Sequence, residues 1–148
     1  MDVDIEAVKV AGTPDGPAPV VLLGPDEEGR VLPVFVGFEE AMSIARGVDA
    51  TDTGRPFTHD LLLDTVQELG GRVTGVTVRD VEAGTYLADV HLDTPRGETT
   101  IDARPSDAIA LAVRTGASVE VAAAVFDEGR RPRGEFEGMD DIREAVEG

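Results

Sequence analysis

The sequence predicts an α+β domain, with a mostly antiparallel or mixed sheet of about six strands and three to four helices. Runs of β-branched and apolar residues, separated by turns rich in Gly and Pro, fill the first third of the chain and return in its middle. Between and after these runs, apolar residues recur at helical spacing. Strands grouped beside strands, with helices in separate blocks, are typical of the α+β class.

Three strands are predicted at the start of the chain, over residues 3–10, 20–23 and 31–36. Turn-forming segments at 12–17 and 24–29 separate them. In the first strand the apolar alternation changes phase near Ala7, which predicts a β-bulge there.

Two helices are predicted next. The first has one apolar face made of Ala41, Ile44, Ala45 and Val48. The second should begin near Thr58, a residue type that caps helices, and end at the glycine pair 70–71. We expect it to bury Leu62, Val66 and Leu69.

Further strands are predicted over residues 73–81, 85–92 and 98–103, with a hairpin turn at 93–97. A third helix should span 105–115 and stop at Gly116. A short strand over 119–121 and a helical turn up to Phe126 complete the predicted elements.

The chain of 148 residues suits one domain with a small appendage. We expect the domain to cover residues 1–126. Residues 127–148 should form an acidic linker and a short C-terminal helix, because 127–138 is rich in Gly, Arg and Glu.

The composition excludes several classes of site. Without cysteine there are no disulfides and no thiolate metal sites. With no Trp, one Tyr and five Phe, the core must be mainly aliphatic. The chain starts without a basic, then apolar, leader and has no apolar run of membrane-spanning length, so we expect a cytoplasmic protein without a membrane partner.

The charge of the chain is unusual. Thirty Asp and Glu face 13 Lys and Arg, for a net charge of −17, and only Lys9 is a lysine. This combination suggests adaptation to concentrated salt; the alternative is an ordinary acidic protein. Such a surface repels nucleic acid in dilute buffer, but at about 1 M salt the screening length falls to roughly 3 Å. The charge therefore excludes a broad basic nucleic-acid groove but not a nuclease.

Two segments carry ionisable or hydroxyl groups where a helix should begin, and unpaired N–H groups at such an end favour anions. In segment 55–60 (RPFTHD), His59 could carry a proton and Asp60 could ligate a divalent ion. The alternative is that Thr58 and Asp60 cap the helix while His59 bonds a neighbouring loop.

The second segment, 101–107 (IDARPSD), holds Asp102, Arg104, Ser106 and Asp107. Two carboxylates can hold a metal ion, and an arginine can grip a phosphate with two hydrogen bonds. The alternative is a structural ion pair of Arg104 with one of the aspartates, with Ser106 as the helix cap. His91 is interpreted as a surface or pocket-wall residue.

Four segments of this sequence resemble the bifunctional nuclease domain family of bacteria, archaea and plants in residues, order and spacing. They are 32–41 (LPVFVGFEEA), 55–61 (RPFTHDL), 84–86 (GTY) and 101–111 (IDARPSDAIAL). The resemblance covers about residues 3–125. It implies an α+β domain with DNase and RNase activity, and it adds Glu39 and Glu40 as candidate metal ligands.

The first hypothesis is thus a nuclease that hydrolyses phosphodiester bonds of DNA, RNA or both. His59, Asp60, Asp102, Arg104, Ser106 and Asp107 would be its catalytic residues, and Asp102, Asp107 and Glu40 would hold Mg²⁺ or Mn²⁺, with no organic cofactor. The second is a non-enzymatic module that binds an anion or a partner. We also expect a homo-oligomer, because open strand edges pair between subunits.

Overall fold

The computed structural model of the chain describes residues 1–51 and 54–147. Its nine strands are β1 (Asp2–Thr13), β2 (Gly16–Gly24), β3 (Arg30–Phe35), β4 (Arg72–Glu82), β5 (Thr85–Thr94), β6 (Gly97–Ala103), β7 (Ser118–Val121), β8 (Arg131–Pro132) and β9 (Asp140–Asp141). Its five α-helices are α1 (Phe38–Val48), α2 (Thr58–Glu68), α3 (Pro105–Thr115), α4 (Ala123–Gly129) and α5 (Ile142–Glu147). A 3₁₀ turn spans Arg133–Phe136.

The strands form one sheet in the order β6-β5-β4-β7-β1-β2-β3-β8, and β9 pairs with β1. Every pairing is antiparallel except that of β4 with β7. The predicted α+β class is confirmed, with more strands than expected. The predicted bulge is confirmed too, because the β1–β2 register shifts between Ile5 and Ala7.

The main core lies between the sheet and the helices. Buried Val, Leu, Ile and Ala side chains dominate it, with Phe126 as a large exception to the aliphatic expectation. Helix α3 packs on β4 and β5, and α1 packs against α3. No helix among the described residues is both long and apolar enough to cross a bilayer.

Helix α2 has the expected bounds but not the expected buried face. Leu63 is its buried residue and Val66 packs against the core, whereas Leu62 and Leu69 are exposed. Three consecutive leucines, 61–63, left the phase of the helix ambiguous in the sequence. The i, i+3 pair formed by Leu63 and Val66 is the one that faces the sheet.

The two helix starts that hold the candidate residues are capped differently from expectation. Thr58 is the first residue of α2, not its cap; Phe57 holds the cap position, and its N–H donates to Asp60 at 3.0 Å. Helix α3 starts at Pro105 after Arg104, and Gly116 ends it in a left-handed conformation with φ of 72°. The predicted bounds of α3 are therefore confirmed.

A glycine lets α1 and α3 approach closely. A Cβ atom added at Gly47 would lie 2.4 Å from a methyl group of Val113 and 3.0 Å from the guanidinium of Arg114. Because these distances are shorter than van der Waals contact, only glycine fits at this crossing. Helix α1 ends at Val48, and residues 52 and 53 in the segment that follows lie outside the described ranges.

The segment expected to be a linker is instead folded onto the sheet. Helix α4 runs to Gly129, β8 pairs with β3, and Phe136 is buried against a second apolar cluster on β1, β2 and β3. Further on, Arg143 bridges Asp141 and Asp49. The high Gly and charge content of this segment favoured a linker in the sequence, whereas in the structure Phe136 packs the segment against the sheet.

Candidate functional site

A cleft of about 660 Å³ lies where the N-terminal halves of α1 and α2 meet the start of α3. The side chains that line it and matter for its chemistry are Ser43, Arg46, Phe57, His59, Arg104 and Asp107. Segments 55–60 and 101–107, which the sequence singled out, therefore meet at one place.

His59 is held on both sides of its ring. Its Nδ1 atom lies 2.6 Å from the Ser43 hydroxyl, and its Nε2 atom lies 2.8 Å from a carboxylate oxygen of Asp107. The three residues come from α1, α2 and α3, so the contact joins all three helices. Ser43 is buried and the His59 side chain is largely buried.

The partners of the network fix the direction of each hydrogen bond. The Arg114 guanidinium donates to the Ser43 oxygen at 3.1 Å, and an arginine has no acceptor atom. Ser43 is therefore free to give its own proton to Nδ1 of a neutral His59. The remaining ring proton sits on Nε2 and is donated to Asp107, which assigns the tautomer from the network.

Asp107 accepts hydrogen bonds from two cations or potential cations. Arg104 donates to its two oxygens at 2.9 and 3.3 Å, and His59 donates at 2.8 Å. Burial alone would raise the pKa of the Asp107 carboxyl, but the hydrogen bonds from Arg104 and His59 outweigh it and leave the pKa below its usual value. Asp107 is thus a carboxylate, able to stabilise a protonated His59.

Arg104 extends the network to α1. Besides Asp107 it reaches Glu40 at 3.4 Å, and its side chain remains 65% exposed. A guanidinium with this much exposed surface can exchange a weak carboxylate contact for a bidentate contact with a phosphate. The sequence assigned Arg104 to phosphate binding, and its position at the cleft is compatible with that role.

Asp60 does not line the cleft. It accepts from the nearly buried Arg114 at 2.8 Å and from the Phe57 N–H. Burial pushes the pKa of Asp60 up, whereas these two donors push it down further, so the pKa lies below its usual value. Asp60 therefore acts as a counter-ion for Arg114 and as the N-terminal capping group of α2.

Arg46 and Phe57 form one wall of the cleft. The guanidinium of Arg46 lies 4.0 Å from the centroid of the Phe57 ring, within the range of a cation–π contact. Its Nε atom is buried and has no hydrogen-bond partner in the described part of the chain. Arg46 lines the cleft, so it is the second cation there beside Arg104.

Asp102 lies elsewhere, and the expectation that it converges with Ser106 on one pocket is wrong. Residues alternate between the two faces of β6, and Asp102 pairs in register with Asp89 on β5. Arg79 bridges these two carboxylates at 2.8 and 2.9 Å on the face opposite to the helices, where the Asp102 side chain is 77% exposed.

Ser106 is the second residue of α3 and is buried, so it is not the helix cap. It borders a second cavity of about 420 Å³, called here the side chamber, whose walls include Phe35 and Tyr86. The side chamber and the cleft share two wall residues, Glu40 and Arg104.

The expected metal ligands are not assembled. Glu40 and Asp107 are both engaged by Arg104, while Asp102 is paired with Arg79 on the other face of the sheet. Among the side chains that the structure describes, those of residues 1–51 and 54–145, no three His, Asp or Glu residues are close enough to hold one ion. The donor set of the cleft therefore does not fit a metal centre built from protein ligands alone.

Two residues of the network, Ser43 and Arg114, were not expected. Each sits inside a predicted helix, and they contact residues 16 and 54 positions away in the chain, His59 and Asp60. The sequence signal was weak: Arg114 stands just before the end of α3, whereas Ser43 lies outside the apolar face formed by Ala41, Ile44 and Ala45 and is buried only in the folded structure. A polar residue on a buried helix face must find a partner.

The chain was compared with known proteins. The model of the bifunctional nuclease domain matches residues 21–133. Two curated relatives from strains of Mycobacterium tuberculosis, the uncharacterized proteins MT1877 and Rv1829, are each 37% identical to it over 108 residues. That alignment covers 73% of this chain and 64% of each relative, so the chain spans less than two thirds of their length. The cleft residues lie inside the matched region, and the chain belongs to the bifunctional nuclease domain family.

Proposed function

We propose that the protein is a nuclease that hydrolyses phosphodiester bonds of DNA, RNA or both, at the cleft between α1, α2 and α3. The observation that carries the proposal is the Ser43–His59–Asp107 chain of hydrogen bonds, which runs beside two arginines in an open cleft. A base, a group that orients it and cations for the phosphate are the parts that phosphoryl-group chemistry needs. Membership of the bifunctional nuclease domain family supports the same reaction.

His59 is the proton carrier in this proposal. Both of its ring nitrogens already have protein partners, so the proton of an attacking water reaches it through the Ser43 hydroxyl, which lines the cleft. Ser43 passes its proton to Nδ1 and takes one from the water. Asp107 holds the ring in place and stabilises the imidazolium that forms; as the P–O bond to the leaving group breaks, this proton returns through Ser43 to the leaving oxygen.

Arg104 and Arg46 are the groups that stabilise the charge on the phosphate. As the phosphorus becomes five-coordinate, negative charge grows on its non-bridging oxygens, and a planar guanidinium can bind two of them. Arg104 gives up its contact with Glu40 for this purpose and keeps the shorter contact with Asp107. None of these steps runs through a metal ion.

The test is digestion of single- and double-stranded DNA and RNA by pure protein in concentrated KCl, with Mg²⁺, with Mn²⁺ or with a chelator. Asp107→Asn should lose most of the activity, while Asp102→Asn, a matched change on the opposite face of the sheet, should keep it. Equal rates for wild type, His59→Ala and Asp107→Asn would identify a contaminating nuclease and overturn the proposal. Activity that disappears only with the chelator would move the chemistry to a bound metal.

A second candidate is a non-enzymatic module that binds a small anion. One observation favours it: both nitrogens of His59 are already engaged by Ser43 and Asp107, as in many structural histidines. In that case Arg104 would bind inorganic phosphate while no substrate is cleaved. Phosphate binding by calorimetry, lost in Arg104→Ala and accompanied by no digestion, would support this module.

A further inference from the structure

The exposed aromatic side chains of this protein are concentrated around one residue, Arg104. The chain has only six aromatic residues, five Phe and one Tyr. Two of them, Phe126 and Phe136, are buried in the two apolar clusters. The other four line the cleft or the side chamber: Phe38 and Phe57 on one side, Phe35 and Tyr86 on the other.

Three of these rings are exposed, whereas Tyr86 is partly buried against the core. Phe35 is 56% exposed and Phe38 and Phe57 are each 43% exposed, although the core is short of large side chains. An aromatic ring left in contact with solvent gains nothing for folding, and clustered exposed rings mark a binding surface. The distribution therefore points to a ligand with flat, apolar parts.

The two cavities adjoin at Arg104 and Glu40, which line both of them. A ligand that follows this path places a central charged group at Arg104 and one flat group in each cavity. A dinucleotide unit of a single strand has this pattern, because a phosphate separates two bases. In a duplex the bases are paired and stacked on each other, so they cannot reach the rings.

We propose that the cleft and the side chamber form one groove for single-stranded nucleic acid, with a phosphate at Arg104, one base against Phe57 and the next against Phe35. This deepens the proposed function and rests on it for the class of ligand. The two cavities together hold two bases and the phosphate between them. The shortest ligand that occupies both cavities is therefore a dinucleotide.

The charge of the groove is consistent with binding by stacking. Arg46 and Arg104 are balanced there by Glu39, Glu40 and Asp107, and the whole chain carries −17. Long-range attraction to phosphate is thus weak, but contact between rings and bases does not depend on ionic strength. Affinity should then persist in concentrated salt, where a basic groove would lose it.

The experiment measures binding of fluorescein-labelled decathymidylate by anisotropy. The full-length protein carries His59→Asn, so that cleavage does not consume the probe. Phe57→Leu and Phe35→Leu remove a ring but keep an apolar side chain, and each should weaken binding about tenfold or more. Leu69→Ala changes an exposed apolar residue just after the end of α2, outside the groove, and should leave affinity unchanged. The corresponding duplex should bind at least about tenfold more weakly than the single strand.

Salt dependence provides a second readout. Even if Arg46 and Arg104 each neutralise one phosphate of the decamer, the slope of log affinity against log KCl should be no steeper than about −1.4. Unchanged affinity in both Phe variants, duplex binding as tight as single-strand binding, or a slope several times steeper would each overturn the groove. If wild type cleaves nucleic acid but the Phe variants bind normally, the groove fails and the proposed function stands. If binding depends on the rings but wild type cleaves no nucleic acid, the groove stands and the proposed function fails.

Discussion

The two histidines of the chain are held alike but placed differently. His59 bonds Ser43 and Asp107 inside the cleft, whereas His91 bonds Thr77 at 2.7 Å and Thr100 at 3.2 Å on the strand face that carries Asp102. Both rings therefore have a partner at each nitrogen. The difference lies in the partners, since only His59 has a carboxylate.

This difference separates a histidine that contacts a carboxylate in the cleft from one that links strands through hydroxyl groups. A carboxylate offsets the positive charge of an imidazolium, but two threonine hydroxyls do not. His59 shares the cleft with Arg104, whose side chain is 65% exposed and whose contact with Glu40 is 3.4 Å long, whereas Arg79, on the sheet face of His91, is bound by two carboxylates at 2.8 and 2.9 Å. Hydrogen bonds at both ring nitrogens are thus a poor sign of function for a histidine, and the chemical type of the partner is a better one.

Substituting each histidine in turn is the strongest test of the difference between His59 and His91. His59→Asn should lower the initial rate of nucleic-acid cleavage by about 10²- to 10⁴-fold, the range for losing a general base. His91→Asn, which removes the same ring from the opposite sheet face, should stay within about twofold of wild type. Similar losses in the two variants would show that the contrast has no bearing on catalysis.

The next test compares carboxylates. Asp107→Asn removes the charge beside His59, and a hydrogen bond between charged groups contributes about 1.5–3 kcal/mol. That range corresponds to a loss of roughly 10- to 150-fold in kcat/KM. Asp102→Asn breaks the exposed pair with Arg79 and should not change kcat/KM measurably. A loss in Asp102→Asn as large as in Asp107→Asn would contradict the placement of the site.

The hydroxyl partners can be compared in the same way. Ser43→Ala takes away the group that connects His59 Nδ1 with the cleft, so we expect kcat to fall by about 10-fold or more. The pH–rate profile should also change shape, since a direct water contact replaces the relay. Thr77→Val is the matched change beside His91 and should leave the profile intact. An unchanged pH–rate profile in Ser43→Ala would show that Ser43 contributes only to packing.

The smallest expected effect concerns stability. Asp60→Asn leaves the nearly buried Arg114 without its carboxylate, which should lower the free energy of unfolding by about 1–2 kcal/mol at neutral pH. The folded-state pKa of Asp60 is depressed, so its contribution is present above the unfolded pKa of about 3.9 and is lost as pH falls through the folded pKa. Urea unfolding of both proteins should therefore converge at low pH, with Asp64→Asn, an exposed change on the same helix, as control.

The parts of the fold that could be predicted were those marked by residues within the element itself, such as helix-end residues and strand alternation. Pro105 and Gly116 bracket α3 because one fits the first turn of a helix and the other adopts the left-handed conformation that ends it. The bulge near Ala7 could be read from a change of alternation. By contrast, Phe136 is fixed by contacts with β1, β2 and β3, and no pattern within residues 127–138 reports them.

The candidate site was predictable only in part, for a related reason. His59 and Asp107 stand out because they open helices next to Pro-containing turns. Asp102 was misplaced although strand alternation was informative: its neighbour Ala103 faces the helices, so Asp102 must face away. Ser43 and Arg114 depend on how α1 and α3 are packed, which a single sequence does not reveal.

Gly47 has a role that its distance from the cleft would not suggest. It lies one helical turn after Ser43, and any larger side chain there would push Val113 and Arg114 away. The guanidinium that donates to Ser43 would then shift, and the imidazole would lose its alignment although no residue lining the cleft had changed. Under the proposed mechanism, the lack of a side chain at residue 47 would therefore control how accurately the hydroxyl of Ser43 is aligned with the imidazole of His59.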